Sequence, residues 1–247
     1  MTDPFLHHPR LRALVTPPEQ SGFRNFDPAQ IVEMVLENGG NTDWMLSEDE
    51  RETDRRSALT GREGQDIWVF AYGSLMWDPA FHFAEVRRGF APGVARRFIL
   101  CDALGGRGTR DAPGVMAGLD PGDGCHGLVF RIAADIVETE TPIMWRRERV
   151  GQAYFPRFIP VETEHGWVNA LAFMANHDAE LIVPDLPHEK QVQYCATGEG
   201  IFGTSFDYVA NLAAHFKELG IVDEGVTRLL ADAQAWRAAH TGSDSRR

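Results

Sequence analysis

Glu148 is the residue of this chain best placed to move a proton. It lies near the end of a segment that reads as a helix, with Trp145 and Met144 three and four positions before it. That spacing puts all three on one helical face. A carboxylate among apolar side chains is costly unless paired or protonated, and burial raises its pKa. A helix C-terminus also disfavours an anion. A carboxyl tuned upward in this way suits general acid/base work. Arg146, Arg147 and Arg149 flank it, but immediate neighbours along a helix point in other directions. Spacing alone leaves a second reading level with the first, a surface Glu–Arg cluster held by ion pairs.

Two further segments carry groups that bind rather than react. Tyr72-Gly73-Ser74-Leu75-Met76-Trp77 follows an apolar run directly. A glycine there permits a tight turn, and successive backbone N–H groups in such a turn can cradle a carboxylate or an oxyanion. Ser74 adds a hydroxyl. Most strand–Gly–Ser turns are only turns, and this one lacks the spacing of a phosphate-binding loop. Arg107-Gly108-Thr109, followed by Pro113-Gly114, reads as a donor-rich loop. Arg107 has the fork geometry to clamp a carboxylate, although a solvated loop charge is the favoured reading. The segment 196–205 reads as a helix end followed by a helix capped at Ser205, a packing feature.

Other chemistries lack their signatures. The nine His are scattered, with no HExxH or HxxxH spacing, so no metal site is expected. There is no GxSxG elbow. Cys101, Cys125 and Cys195 are odd in number and widely spaced, and are expected to be buried free thiols rather than a disulfide framework.

The elements that must position these residues are legible from periodicity. The run 67–72 reads as a buried strand. Further strands are expected at 85–90, 94–101, 115–119, 126–132, 154–161 and 167–174, punctuated by Gly- and Pro-containing turns. Many short strands with tight turns predict a barrel or a strongly twisted sheet. Helices are expected over 27–37 (capped at Asp27), over 46–58 (capped at Ser47, charge-dense and exposed), and over 133–150, where Thr141-Pro142 is expected to restart or kink the helix. Two apolar stripes, from Phe206 to Leu219 and from Val226 to Trp236, predict C-terminal helices. Residues 1–27 read as a mobile lead-in and 242–247 as a disordered tail. The organisation expected is an N-terminal helical extension (1–65), a barrel with the Glu148 helix (66–178), and C-terminal helices packed on it (179–241).

Composition narrows the partners. Of 247 residues, 43% are hydrophobic and 24% charged, an ordinary globular balance. The net charge of −12 disfavours nucleic acid, whose recognition rests on Lys and Arg against phosphates. No apolar run approaches the roughly 18 residues of a membrane span, and the N-terminus does not read as a signal peptide. A cytoplasmic protein is expected, a monomer or weak dimer.

Taken together, four segments resemble the ChaC-type γ-glutamylcyclotransferases, in that family's order and at similar spacing. They are Val69-Phe70-Ala71-Tyr72-Gly73-Ser74-Leu75-Met76-Trp77-Asp78-Pro79, Arg107-Gly108-Thr109 with Pro113-Gly114, Trp145-Arg146-Arg147-Glu148, and Ala196-Thr197-Gly198-Glu199-Gly200 through Asp207-Tyr208. The likeness spans roughly 68–219 and is nearer the longer bacterial type. The resemblance implies an α+β fold, a small γ-glutamylcyclotransferase-like β-barrel flanked by helices. It implies a lyase that cleaves glutathione to 5-oxoproline and Cys-Gly with no metal and no cofactor. It implies that Glu148 is the acid/base and that Ala71, Tyr72, Gly73, Ser74, Leu75 and Met76 cradle the γ-glutamyl group, with Arg107 as a further substrate contact. Alternatives are a cyclotransferase for other γ-glutamyl peptides or amines, or a silent γ-glutamyl-binding module. Two departures stand out: Ala71 where the family often has Gly, and Arg149 where bacterial relatives often carry an apolar residue, a charge expected to shift Glu148.

Overall fold

The computed structural model describes residues 3–241, so the expected tail at 242–247 lies outside the described residues. Five strands close into a barrel in the order β1-β5-β2-β6-β7. They are β1 (Ile67–Ala71), β2 (Glu85–Ala91), β5 (Cys125–Ile132), β6 (Tyr154–Thr163) and β7 (Gly166–Ala175). All pairings are antiparallel except β1 with β7, which run parallel. A separate ribbon, β3 (Val94–Asp102) with β4 (Gly114–Pro121), packs beside the barrel. β1 is the apolar run of the sequence, and its centre, Val69 and Phe70, is fully buried. The second half of β7, from Ala170 to Ala175, is buried without interruption, as expected of a strand covered on both faces.

The helices are α1 (Val32–Glu37), α2 (Glu48–Leu59), α3 (Val137–Glu148), α4 (His188–Thr197), α5 (Ser205–Leu219) and α6 (Glu224–Thr241). Among the described residues no helix is long and apolar enough to cross a membrane. Ser47 caps α2 with a full capping box to Glu50. α2 is not simply exposed. Arg55, on its inner face, is 3% exposed and donates to Thr141 Oγ1 and Glu138 Oε2 on α3. Nor does α3 restart at Pro142. The helix runs through it, and Thr141 is not a cap, because its hydroxyl donates back to the Val137 carbonyl at 2.7 Å. Burial of Thr141, Ile143, Met144 and Trp145 against the barrel outweighs the proline's lost hydrogen bond.

The N-terminal segment, expected to be irregular, carries short 3-10 helices at Pro9–Ala13 and Pro18–Gln20, and it is packed rather than a loose lead-in. Leu11, Val15 and Phe26 are buried, Val86 N–H donates to Pro4 O, and Thr16 N–H donates to Trp77 O. Arg24 grips Glu140 of α3 through both guanidinium nitrogens at 2.8 and 3.1 Å. Burial alone would raise the Glu140 carboxyl, but Arg24 and the His82 N–H together hold it below the usual range. Replacing Arg24 by Ala leaves this 5%-exposed carboxylate with one donor. The expected loss is about 3 kcal/mol in urea denaturation at neutral pH, the low end for a broken buried pair because Arg24 is partly exposed. Because the folded pKa is lowered, this stabilisation exists above the unfolded carboxyl pKa and disappears as pH falls through the folded one. The gap between wild type and Arg24→Ala therefore closes in acid.

Candidate active site

Glu148 is the last residue of α3, and its side chain is 13% exposed. It lines a cavity of about 30 Å³ together with Tyr72, Gly73, Ser74, Leu75, Ala117, Tyr154, Phe173 and Tyr208. Burial pushes the Glu148 carboxyl above the usual carboxylate range, against an opposing pull from Arg147. That pull corrects the expectation that adjacent residues of the helix point away. Arg147 Nε lies 3.0 Å from Glu148 Oε1. The helix stops at Glu148, and Arg149 already leaves helical geometry at φ −116°, ψ 36°, so the angular separation of a helix interior no longer applies. Arg149 itself turns to Asp54 at 2.9 Å and to the Tyr154 carbonyl. It is not among the groups that shift Glu148, contrary to the expectation from its position.

Arg147 is the hub of the site. Its side chain is 6% exposed, donates to Ser74 Oγ at 2.6 Å and to the Asp78 carbonyl, and lies with its guanidinium 4.2 Å over the Phe23 ring. One cation thus ties the acid of α3 to the turn after β1. The turn is fixed from the other side by Arg96 of β3, 2% exposed at its side chain, which donates to Tyr72 O and His126 O. Residues 74–76 form a single 3-10 turn. Ser74 and Leu75, whose N–H groups take no partner among the described residues, both line the cavity.

The cavity's other wall is phenolic. Tyr72 Oη donates to Phe173 O at 2.7 Å, Tyr154 Oη donates to Ala117 O at 3.0 Å, and Tyr208 Oη accepts from Ala117 N–H at 3.3 Å. Burial pushes all three phenols up, so they stay neutral and polar beside Glu148. Gly73 is required by close approach. A Cβ there would stand 2.6 Å from Tyr208 Oη, in a side chain 3% exposed and unable to retreat freely. Gly73→Ala is expected to cost about tenfold or more in kcat/KM, since sub-ångström displacement of a positioned group is costly. Its thermal midpoint should fall far less than its rate, as a melting curve beside initial rates will register.

Of the residues expected to cradle substrate, Tyr72, Gly73, Ser74 and Leu75 line the cavity. Ala71 and Met76 do not line it. Both are fully buried, Ala71 in the β1–β5 ladder and Met76 in the core beneath the turn. Arg107 is not a solvated loop charge, since it is only 8% exposed. Its backbone N–H donates to Asp102 Oδ2 at 2.5 Å, its Nη1 donates to Thr204 O at 3.3 Å, and its guanidinium sits 5.3 Å from the Tyr208 ring. It is thus one residue removed from the cavity lining. Burial pushes this guanidinium down, and the nearby Arg147 charge adds to the effect. The Arg107-Gly108 loop meets Gly114 backbone to backbone, with a Cβ on Gly108 falling 1.9 Å from Gly114 N. Thr204, not Ser205, caps α5. Ser205 is instead buried, accepting from Val115 N–H and donating to Arg107 O. The cysteines are all free; Cys125 and Cys195 are buried, while Cys101 is half-buried.

The closed five-stranded barrel flanked by helices has its structural neighbours among the γ-glutamyl cyclotransferases. The crystal structure of a glutathione-specific γ-glutamyl cyclotransferase from yeast superposes with a TM-score of 0.65 at 21% identity, over 71% of this chain and 98% of that one. The family described as ChaC-like protein matches residues 67–235, and the chain belongs to it. The glutathione-specific gamma-glutamylcyclotransferase of Escherichia coli (strain K12) is 31% identical over 169 residues, 68% of this chain and 73% of that protein. The glutathione-specific gamma-glutamylcyclotransferase 1 of Rattus norvegicus is 30% identical over 154 residues, 60% and 69% of the two chains. Sequence reasoning passed over Arg96 and Tyr154, and read Arg147, within its Trp145-Arg146-Arg147-Glu148 motif, as pointing away from Glu148. Tyr208 stood within a motif but was given no role.

Proposed function

We propose that this chain is a γ-glutamylcyclotransferase that converts glutathione to 5-oxoproline and Cys-Gly, with Glu148 as its acid/base. The observation that carries the reading is a carboxyl raised by burial, set in a cavity lined by Ser74 and Leu75, whose backbone N–H groups take no partner among the described residues. The names of the E. coli and rat relatives supply the substrate class.

The reaction is an internal aminolysis. The free α-amine of the γ-glutamyl unit attacks its own γ-carbonyl carbon. A C–N bond forms, and the carbonyl electron pair moves to oxygen. Glu148 accepts the proton that the attacking nitrogen of the free amine sheds as it becomes the ring amide, and returns it to the cysteinyl nitrogen as the second C–N bond breaks. No water is consumed, and one carboxyl serves as base and then acid. Ser74 and Leu75 N–H can stabilise the oxyanion or hold the α-carboxylate. Neutral Tyr72, Tyr154 and Tyr208 supply polarity without competing charge. The buried setting strengthens every electrostatic contact within it. With about 30 Å³ between them, the lining side chains must part to admit the γ-glutamyl unit.

Incubation with glutathione should release 5-oxoproline and Cys-Gly in equal amounts. Release of neither product would overturn the reading. Parallel reactions with γ-Glu-Ala and γ-Glu-ε-Lys measure breadth, and a preference for one of those would reassign the substrate while keeping the cyclisation.

A further inference from the structure

A second cavity, of about 380 Å³, is lined in part by Phe23 and Asp78, both of which Arg147 also touches. Its lining is Gly22, Phe23, Phe26, Gln30, Ile31, Asp78, Ile201 and Phe202. Five of these come from residues 22–31 of the N-terminal segment, outside the span matched by the family. Three rings form its floor, with centroids 5.1 Å apart for Phe23–Phe202, 5.9 Å for Phe26–Phe202 and 6.1 Å for Phe23–Phe26. Ile201, at the rim, is 60% exposed. β8 (Glu199–Gly200) and β9 (Gly203–Thr204) hold Ile201 and Phe202 at their turn. That turn is tied to the Arg107 loop by Ile201 N–H to Gly105 O and Phe202 N–H to Gly106 O.

We infer that this cavity is the subsite for the leaving cysteinyl-glycine portion of the tripeptide, and that the N-terminal segment builds it. The inference rests on the γ-glutamylcyclotransferase reading above. Three observations support it. The cavity at Glu148, about 30 Å³, must open even for the γ-glutamyl unit, so the remainder of a tripeptide lies outside it. Arg147 is shared by both places, touching Glu148 and Ser74 on one side and Phe23 and Asp78 on the other. Asp78 Oδ1 is buried without a hydrogen-bond donor, 4.0 Å from Arg147 Nη1. An acceptor in that state fits a peptide N–H, and a wall of aromatic and aliphatic side chains fits a thiol. The volume lies within the range of small-molecule sites. The open side leaves the terminal carboxylate of the glycine in water, away from Asp78.

The two products report separately on the two halves of the site. Phe23 and Phe202 are only partly buried, so their truncation spares the core. A Cβ on Gly22 meets nothing within 4 Å, so Gly22→Trp can narrow the cavity without backbone strain. Phe23→Ala, Phe202→Ala and Gly22→Trp should each raise the inhibition constant of Cys-Gly about tenfold. The constant of 5-oxoproline should stay within about twofold, and KM for glutathione should rise more than kcat falls. Phe23→Ala also loosens Arg147, so Phe202→Ala and Gly22→Trp are the decisive pair. An unchanged Cys-Gly constant in both overturns the subsite, as does an equal rise for the two products. Absence of turnover in the wild type overturns the function itself, a separate result.

Discussion

Glu148→Gln is expected to abolish 5-oxoproline release, with a loss of about 10³-fold or more, while leaving the protein as stable as the wild type or more so. The two halves of this result have one cause. The wild-type carboxyl is held above its usual range because burial disfavours its charge, and Arg147 offsets only part of that. A neutral amide of the same shape removes the charge from the cavity. Arg147 keeps its bonds to Ser74 Oγ and the Asp78 carbonyl, so the turn after β1 stays in place. What is lost is the ability to accept a proton, without which the attacking nitrogen cannot shed its proton as the new C–N bond forms and the second C–N bond does not break. A structural ion pair would behave otherwise, because breaking a buried pair typically costs several kcal/mol. Thermal melting and product analysis on one preparation separate the two roles. A variant that melts early, or that turns over normally, removes Glu148 from catalysis.

The strands were legible because the barrel buries them in runs that periodicity detects. The predicted strand at 67–72, for instance, became β1 with its centre fully covered. Glu148 was half legible: a carboxyl on the Trp145 face breaks an apolar pattern, but spacing left a surface Glu–Arg cluster equally open, and the set of motifs singled it out. The place of Arg147 was not legible. The rule that neighbours on a helix diverge holds within a helix, and the end of α3 depends on where the barrel stops it. Tyr154 on β6 and Tyr208 on α5 reach one cavity only once β6 pairs with β7 and α5 packs beside β4, contacts that no local window contains. The N-terminal segment misled for a related reason. Its prolines and lack of period read as looseness, yet Leu11 and Phe26 are buried by surfaces distant in the chain. Ala71 and Met76 belong to a motif that surrounds the site, but the alternation of a strand and the twist of a 3-10 turn send them inward.

Arg147→Met is expected to cut turnover at neutral pH by about 10²-fold and to move the acid limb of the kcat/KM profile to higher pH. The sign follows from the opposing influences on Glu148. Burial raises its carboxyl and Arg147 lowers it, so removing the guanidinium leaves the rise unopposed. A base acts only when ionised, and at neutral pH less of it then is. In the wild type the same raised value already sets the acid limb above that of an ordinary carboxylate. Stability follows the same linkage. A carboxyl raised in the folded state favours folding below its unfolded pKa, and that advantage is lost as pH rises through the folded value. The variant should therefore lose stability relative to wild type as the solution becomes more alkaline, in the same sense as Arg24→Ala, whose deficit likewise vanishes in acid. Arg147→Lys divides the electrostatic role from the geometric one. It keeps a cation beside Glu148, so the acid limb should stay near its wild-type position. It cannot donate from a planar fork to Ser74 Oγ and the Asp78 carbonyl at once, so the turn that carries Ser74 and Leu75 N–H is left less firmly held and kcat should still fall. An acid limb unmoved in Arg147→Met would mean that the cation does not set the charge state of Glu148, and its work would then lie in holding the turn alone.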